Sequence, residues 1–277
     1  MPTIHVLRGI PGSGKSTLRK SMGLPYVNRD ELRLLYPDYT EILISGKQSA
    51  LIQELVTQQV DFIIDNTHIK HAPYYKYQEQ GYEIKEHWLL PTIGECIYRD
   101  TMRDKSVGKS VIMKMAIDSG KYTNDPFITY LQRFKTVIFD IDGTLANCKH
   151  RQVHLQEKPK NWKLFNDLMH LDTVYKDVAD LIPRFNGDHH IILVSGRESS
   201  MRKVTEQWLD DNDIYYDYLF MRGFNDYRDD PIIKQEIYDT YIKPYTVVDY
   251  VFDDRLRVCE RWRSLGLRCL QVQEGNF

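Results

Sequence analysis

Two groups of residues in this chain have the types and spacing for phosphate chemistry. Gly9-Ile10-Pro11-Gly12-Ser13-Gly14-Lys15-Ser16 follows the spacing Gly-x-x-x-x-Gly-Lys-Ser. Such a turn aims successive backbone N–H groups at phosphate oxygens, and the helix N-terminus behind it adds a positive dipole. Gly12, Ser13, Gly14, Lys15, Ser16 and Thr17 would then cradle a nucleoside triphosphate, with Lys15 on the β/γ-phosphates and Ser16 on magnesium. A chance glycine-rich turn is the competing reading; the apolar run before the motif and the helical run after it speak against it. At the midpoint, Asp140-Ile141-Asp142-Gly143-Thr144 sets two carboxylates two residues apart beyond another apolar run. Held that close they can share the charge of a magnesium ion, one attacking phosphorus and the other passing a proton to the leaving alkoxide. The stretch has too few ligands for a calcium loop. Val107-Gly108-Lys109-Ser110 imitates the end of the first motif, but Arg103 stands where its first glycine is needed, so Lys109 reads as a solvated lysine.

Each group has helpers. In Asn28-Arg29-Asp30-Glu31-Leu32-Arg33, Asp30 is placed to be the base for an attacking hydroxyl, and Arg33, on the same helical face, to anchor an acceptor. Asp30 as a plain helix cap is the alternative. Arg99 and Arg103 lie four apart in a charged stretch suited to a lid, where guanidinium forks match phosphate oxygens; solvated lid charges are the bland reading. Asp65-Asn66-Thr67-His68 ends an apolar run with polar groups for an acceptor or metal. In the second half, Ser195-Gly196-Arg197, Lys234 and Asp253-Asp254 follow in order. Ser195 can bond a phosphate oxygen, Lys234 can neutralise nucleophile and phosphate, and the aspartate pair can complete a metal shell. Alone, Lys234 would be read as a surface lysine; the ordered set is far more specific. His150 with His154, and His189-His190, lack the partners of a metal site. The 19 tyrosines offer stacking platforms but are more simply core and rim residues.

These groups need strands to hold them. The pattern predicts strands over 3–8, 25–28, 60–65 and 82–90, with helices over 15–22, 49–59 and most of 93–119. After a seam at 126–135 the alternation restarts, with strands at 136–139, 191–195, 218–221 and 247–252 and helices at 172–185, 199–210, 232–241 and 256–265. The expected fold class is α/β, with two doubly wound parallel-sheet domains over 1–132 and 136–277 and ligands at the carboxyl ends of their strands. The span 145–190 has room for two helices and a small cap, which leaves the second site open to a polymer end.

Composition agrees. At 277 residues, with 42% hydrophobic and 27% charged, the chain suits two ordinary globular domains, and no run approaches the roughly 20 apolar residues of a membrane span. Met1-Pro2-Thr3 leads directly into a strand, so no signal peptide is expected. Cys96, Cys148, Cys259 and Cys269 are too scattered for a zinc set, which points to structural thiols in a reducing cytoplasm. The net charge of −2 divides into +3 over the first 135 residues and −5 over the rest, which argues against a broad basic nucleic-acid surface and suits magnesium in the second half.

The ordered DxDGT, Ser, Lys and Asp-Asp set resembles the haloacid-dehalogenase phosphatase superfamily, and the first half resembles the P-loop kinases that phosphorylate nucleic-acid ends. Joined in this order, the chain is similar over nearly its whole length to the bacteriophage-type polynucleotide 5′-kinase/3′-phosphatase family. That resemblance implies Lys15, Ser16, Asp30, Arg33 and Arg103 in a kinase site. It implies Asp140 as nucleophile and Asp142 as acid/base, with Arg197, Lys234, Asp253 and Asp254 beside them and Arg222 and Arg228 as helpers. Phage relatives carry Ser-Asp-Thr-Asn where this chain has Asp65-Asn66-Thr67-His68, so either Asp65 or Asn66 would contact the acceptor. The implied function is end repair of RNA or DNA. ATP or another NTP would phosphorylate 5′-hydroxyls, and 3′-phosphates would leave through an aspartyl-phosphate, with Mg2+ as cofactor and a nucleic-acid ligase as functional partner. No membrane association is implied, a homo-oligomer is compatible, and the location is cytoplasmic, the host's if phage-encoded. The rivals are a small-molecule kinase fused to an unrelated phosphatase, and a nucleotide-gated binding module with a degenerate phosphatase half; the latter has no need of both Asp140 and Asp142.

Overall fold

The computed structural model describes residues 1–66, 73–156 and 158–275. Thr67 and His68 lie outside them. The chain divides into two compact units, Met1–Phe127 and Ile128–Phe277.

The first unit is built on a parallel sheet of order β2-β3-β1-β4, formed by β1 (Thr3–Arg8), β2 (Tyr26–Asn28), β3 (Phe62–Asp65) and β4 (Glu83–Trp88). Ile4, Val6, Phe62 and Ile64 are fully buried and join Val27, Ile52 and Tyr82 in its core, as central parallel strands covered on both faces require. Register sets Leu7 and Asn28 on either side of Asp65, so three strand ends meet at one edge. The helices are α1 (Lys15–Met22), α2 (Arg29–Leu35), α3 (Glu41–Gln58), α4 (Ile93–Thr101) and α5 (Lys109–Ser119). Helix α3 begins well before the expected residue 49 because Thr40 caps it, its hydroxyl accepting from the Leu43 amide. The stretch 93–119, expected to be mostly helical, is two helices. Between them the buried Asp100 carboxylate collects the Ser106 hydroxyl (2.6 Å) and the amides of Val107 (2.9 Å) and Gly108 (3.0 Å), which folds the chain back instead of continuing the helix. The seam expected at 126–135 contains a helix, α6 (Pro126–Leu131).

The second unit is a five-stranded parallel sheet of order β11-β10-β5-β8-β9. Its strands are β5 (Lys135–Phe139), β8 (His189–Glu198), β9 (Tyr218–Arg222), β10 (Val247–Arg255) and β11 (Cys269–Gly275). Edge strand β11 was not expected, since its glutamines break the apolar run that marks a central strand. The span between β5 and β8 is richer than two helices. It holds β6 (Ala146–Asn147), α7 (Lys149–Gln156), α8 (Trp162–Asp167), β7 (Thr173–Val174), α9 (Lys176–Ala179) and α10 (Ile182–Phe185). The helix expected over 172–185 is broken because its first residues pair antiparallel with β6. Helices α11 (Arg202–Asp211), α12 (Asp230–Ile237) and α13 (Leu256–Ser264) complete the unit. Phe139 and Phe252 stack at 4.6 Å in its core, immediately before Asp140 and Asp253 in the chain. All four cysteines are buried, unbridged thiols. Among the described residues no helix is long and apolar enough to cross a membrane.

Candidate functional site

In the second unit, Asp140 follows the last residue of β5, and its amide donates to Phe252 O (2.9 Å), which fixes it beside β10. The carboxylates of Asp140, Asp253 and Asp254 are all buried, with ligand oxygens within 4.8 Å of one another. Lys234, on α12, donates from Nζ to Asp140 Oδ1 (2.6 Å) and Asp253 Oδ2 (2.8 Å), while the Trp262 indole donates to Asp253 Oδ2 (3.2 Å). Burial pushes Asp140 well above the ordinary carboxylate range, with Lys234 opposing and the neighbouring carboxylates adding to the shift. Asp254 is pushed up to about 7 by burial and by Asp253. Burial alone would lower Lys234, but Asp140 and Asp253 outweigh it and hold the ammonium charged.

Whether these residues suit a cation can be judged from Asp254. Among the described residues its buried Oδ2 has no hydrogen-bond partner. A side chain at Gly143 or at Gly275 would collide with that carboxylate, and Gly143, at φ +90°, also needs a backbone that other residues resist. Three enclosed carboxylates facing one ammonium form an oxygen-only donor set with surplus negative charge, which fits a hard divalent ion.

Asp142, expected beside the same ion, lies outside the group of three carboxylates. Its Oδ1 accepts from Arg197 Nη2 (2.6 Å) and Nε (3.0 Å) and from Arg151 Nη2 (2.5 Å), so two guanidiniums hold it. Burial would raise its pKa, but Arg197 and Arg151 prevail and hold it well below the usual carboxylate range. Arg151 also grips Asp172 through Nε (2.8 Å) and Nη2 (2.7 Å), and Arg197 reaches the same carboxylate (3.0 Å). Neither Arg151 nor Asp172 was anticipated. Arg151 lies in the charged run Lys149-His150-Arg151, yet it is fully buried against the Phe165 ring. Ser195, also fully buried, accepts the Arg197 amide (3.1 Å) and shapes the turn that delivers that guanidinium.

Arg222 and Arg228, expected to help bind substrate, are engaged with the protein itself. Arg222 donates to Gly196 O (2.8 Å) and Asp226 O (2.9 Å) and pairs with Asp230; Arg228 pairs with Asp226 and Glu236. Asp230, which also pairs with Arg255, is a third residue the sequence did not single out. Above these groups opens a cleft of about 580 Å³, lined by Asp140, Asp142, Arg197, Arg222, Arg228 and Lys234 among others.

In the first unit, residues 9–14 turn from β1 into α1 with Gly9, Gly12 and Gly14 at positive φ. A Cβ at Gly12 would strike the Cys96 carbonyl, so the turn packs directly on α4. Lys15 folds back on the turn, donating to Gly9 O (2.7 Å) and Ile10 O (3.0 Å), and burial lowers its pKa to about 8. Ser16 and Thr17 are exposed at the start of α1. Asp30 is not the helix cap: Asn28 Oδ1 accepts the amides of Asp30 (2.9 Å) and Glu31 (3.0 Å), leaving the Asp30 carboxylate exposed and paired with Arg33. Arg33 pairs in turn with Glu41 (2.8 Å). Asp65 and Asn66, expected at the acceptor, are buried under α2. Asp65 accepts from Asn28 Nδ2 (3.1 Å) and pairs with Arg19 (3.2 Å), and Asn66 Oδ1 accepts the Arg29 amide (2.9 Å). Of the two arginines, Arg99 reaches the glycine turn, at Gly12 O (3.4 Å), whereas Arg103 lies on Asp100 (3.2 Å).

A protein of Autographa californica nuclear polyhedrosis virus, named for polynucleotide kinase and RNA ligase, is 25% identical over 300 residues covering 95% of this chain. The chain spans 41% of that relative's length. A chain in the structure of the Pnkp1/Rnl/Hen1 RNA repair complex is 28% identical with a TM-score of 0.46, covering 100% of this chain and 97% of that one. A hydrolase from Streptococcus pneumoniae is 14% identical with a TM-score of 0.37, covering 52% of this chain and 95% of that one. Residues 134–277, more than half of the sequence and the whole triple-carboxylate site, match the polynucleotide kinase PNKP phosphatase domain, and the chain belongs to that family.

Proposed function

We propose that the chain is a bifunctional nucleic-acid end-repair enzyme that removes 3′-phosphates over residues 136–277 and phosphorylates 5′-hydroxyls over residues 1–132. The observation that carries the reading is Lys234 bridging Asp140 and Asp253 inside a group of three buried carboxylates, in a chain of the PNKP phosphatase family. Asp140 Oδ attacks phosphorus, and the bond from phosphorus to the ribose 3′-oxygen breaks as Asp142 gives that oxygen a proton. Asp142 then takes a proton from water, which attacks the aspartyl-phosphate to release inorganic phosphate and restore Asp140. The two guanidiniums on Asp142 favour its ionised form, which suits the second step. For the first step Arg197 must turn toward the phosphate oxygens and loosen its hold. Ser195 keeps Arg197 in reach, Lys234 neutralises the approaching charge, and Arg222 and Arg228 hold the wall of the cleft. Asp140, Asp253 and Asp254 would hold Mg2+, which would supply positive charge opposite the phosphate when bound.

In the kinase reading, the turn around Gly12, Ser13 and Gly14 with Thr17 binds ATP or another NTP. Lys15 leaves the Gly9 and Ile10 carbonyls for the phosphates, and Ser16 would ligate Mg2+. Asp30 takes the proton of the 5′-hydroxyl, Arg33 anchors the acceptor, and Arg103 acts with Arg99 from the lid. Asp65 and Asn66 serve by holding α2 in place. The substrates are RNA or DNA ends, and the name of the viral relative supports a ligase as the enzyme that uses the repaired ends. A two-by-two test decides: Lys15→Ala abolishes transfer of labelled γ-phosphate to an oligonucleotide 5′-hydroxyl, and Asp140→Asn abolishes 3′-phosphate release, each sparing the other activity. Failure of the unmodified chain in either assay removes that half of the proposal.

A further inference from the structure

The cleft over Asp140 leaves two aromatic side chains uncovered. Trp162 opens α8 and is 55% exposed, whereas Phe165, one turn on, is buried. The Phe165 ring meets the Trp162 ring edge-on at 5.9 Å and packs its own face on Arg151 at 4.2 Å, so the indole is propped by the same structure that holds the Asp142 clamp. Tyr227, in the turn between β9 and α12, is 86% exposed, its hydroxyl bonded to Asn225 Oδ1 (3.3 Å). Both line the cleft that contains Asp140 and Lys234. Leaving an indole and a phenol in water forgoes burial that a core aromatic would gain, and their positions serve no core.

Charge offers a polymer less grip here. Acidic and basic side chains line the cleft in equal number, and Arg222, Arg228, Arg255 and Arg257 each face a carboxylate. Aromatic faces, by contrast, stack any base without regard to its identity. Resting on the 3′-phosphatase reading, we infer that Trp162, with Tyr227 as a second face, is a stacking platform for the terminal nucleobase of a 3′-phosphorylated end. The platform selects nucleotides over other phosphomonoesters and tolerates all four bases. Lys160, whose Nζ lies 5.6 Å from the centre of the indole, stands near enough to meet the phosphodiester of a nucleotide stacked there.

The test compares kcat/KM on a 3′-phosphorylated oligonucleotide, on the same oligonucleotide with an abasic terminal sugar, and on a nucleoside 3′-monophosphate. For the unmodified protein the abasic end is the poorer substrate. Trp162→Ala lowers kcat/KM on both base-bearing substrates about tenfold, through KM, and narrows the gap to the abasic end. Trp162→Phe restores most of the loss, and Tyr227→Ala gives a smaller loss of the same kind. Equal losses on base-bearing and abasic ends overturn the stacking role, as does an unmodified protein that treats the two ends alike. A loss on the oligonucleotide but not on the monophosphate overturns the assignment to the terminal base. If the unmodified protein hydrolyses none of the three, the phosphatase reading falls and the platform with it.

Discussion

Arg151 carries more of the second unit than its place in a charged run suggests. It is fully buried and divides its guanidinium between Asp142, on the wall of the cleft, and the buried Asp172, both of which Arg197 also holds. Removing one member of such a group strands the others, at a cost of about 3–5 kcal/mol. Arg151→Ala is therefore expected to lower the urea midpoint by an amount of that order while also reducing 3′-phosphate release. Arg151→Lys recovers little, because a point charge cannot replace a fork that meets two carboxylates. Circular dichroism in urea gives the first quantity and phosphate release the second. Cys96 supplies a second residue-level expectation. Burial raises its thiol to about 11 from the ordinary 9.0, so in the unfolded chain it ionises first. Between those values the folded state holds more protons than the unfolded one, so this contribution is full below pH 9 and is lost as pH rises through 11, up to roughly 2–3 kcal/mol. The loss between pH 9 and 11 should be smaller in Cys96→Ala, as urea titrations of the two proteins would show. A steeper decline in the variant would refute it. Lys15, Asp140, Asp142 and Asp253-Asp254 stood out because their chemistry demands a local spacing, and Lys234 and Arg197 only because they follow in the order of a known family's set. Arg151, Asp172 and Asp230 were illegible because their partners stand at 142, 197, 222 and 255, and only folding brings them together.

At the level of elements, β11 is the clearest case of structure acting on chemistry from a distance in sequence. It adds to the edge of the sheet beside β10, and its end places Gly275 against the Asp254 carboxylate while Gln273 donates to Gly143 O. A methyl group at Gly275 would displace Asp254 from the group it forms with Asp140 and Asp253. Gly275→Ala is expected to reduce 3′-phosphate release by about tenfold or more and to raise the Mg2+ concentration needed for half-maximal rate, with 5′-phosphorylation unchanged. A normal magnesium requirement in that variant would show that Asp254 keeps its place. Strands β1, β3, β5, β8 and β10 were legible because buried parallel strands read as continuous apolar runs. Edge strand β11, the paired stretch β6 and β7, and the break at Asp100 were not, since each depends on a partner across the fold and none on a periodic pattern.

For the whole molecule, the two units have separate cores, one around Phe62 and Tyr82 and the other around Phe139, Trp208 and Phe252. A chain of this kind can unfold in two steps, and a ligand that binds one native unit raises the stability of that unit alone, by about 2.7 kcal/mol at a hundredfold excess over its Kd. The prediction is that residues 126–277, expressed alone, fold and release 3′-phosphate from oligonucleotides at a rate within about threefold of the full chain. The starting point matters, because α6 begins at Pro126 and a cut after Phe127 would divide it. The fragment still loses Asp125, whose carboxylate accepts the Phe127 amide (2.9 Å), so the start of α6 should fray and the fragment should be less stable by the roughly 1 kcal/mol of a lost cap. In the full chain, ATP with Mg2+ should move one of two thermal transitions upward and leave the other in place; in the fragment it should move nothing. A fragment that unfolds, or one transition that shifts as a whole with nucleotide, would mean that the phosphatase site depends on the first unit and that the two activities are coupled through the fold.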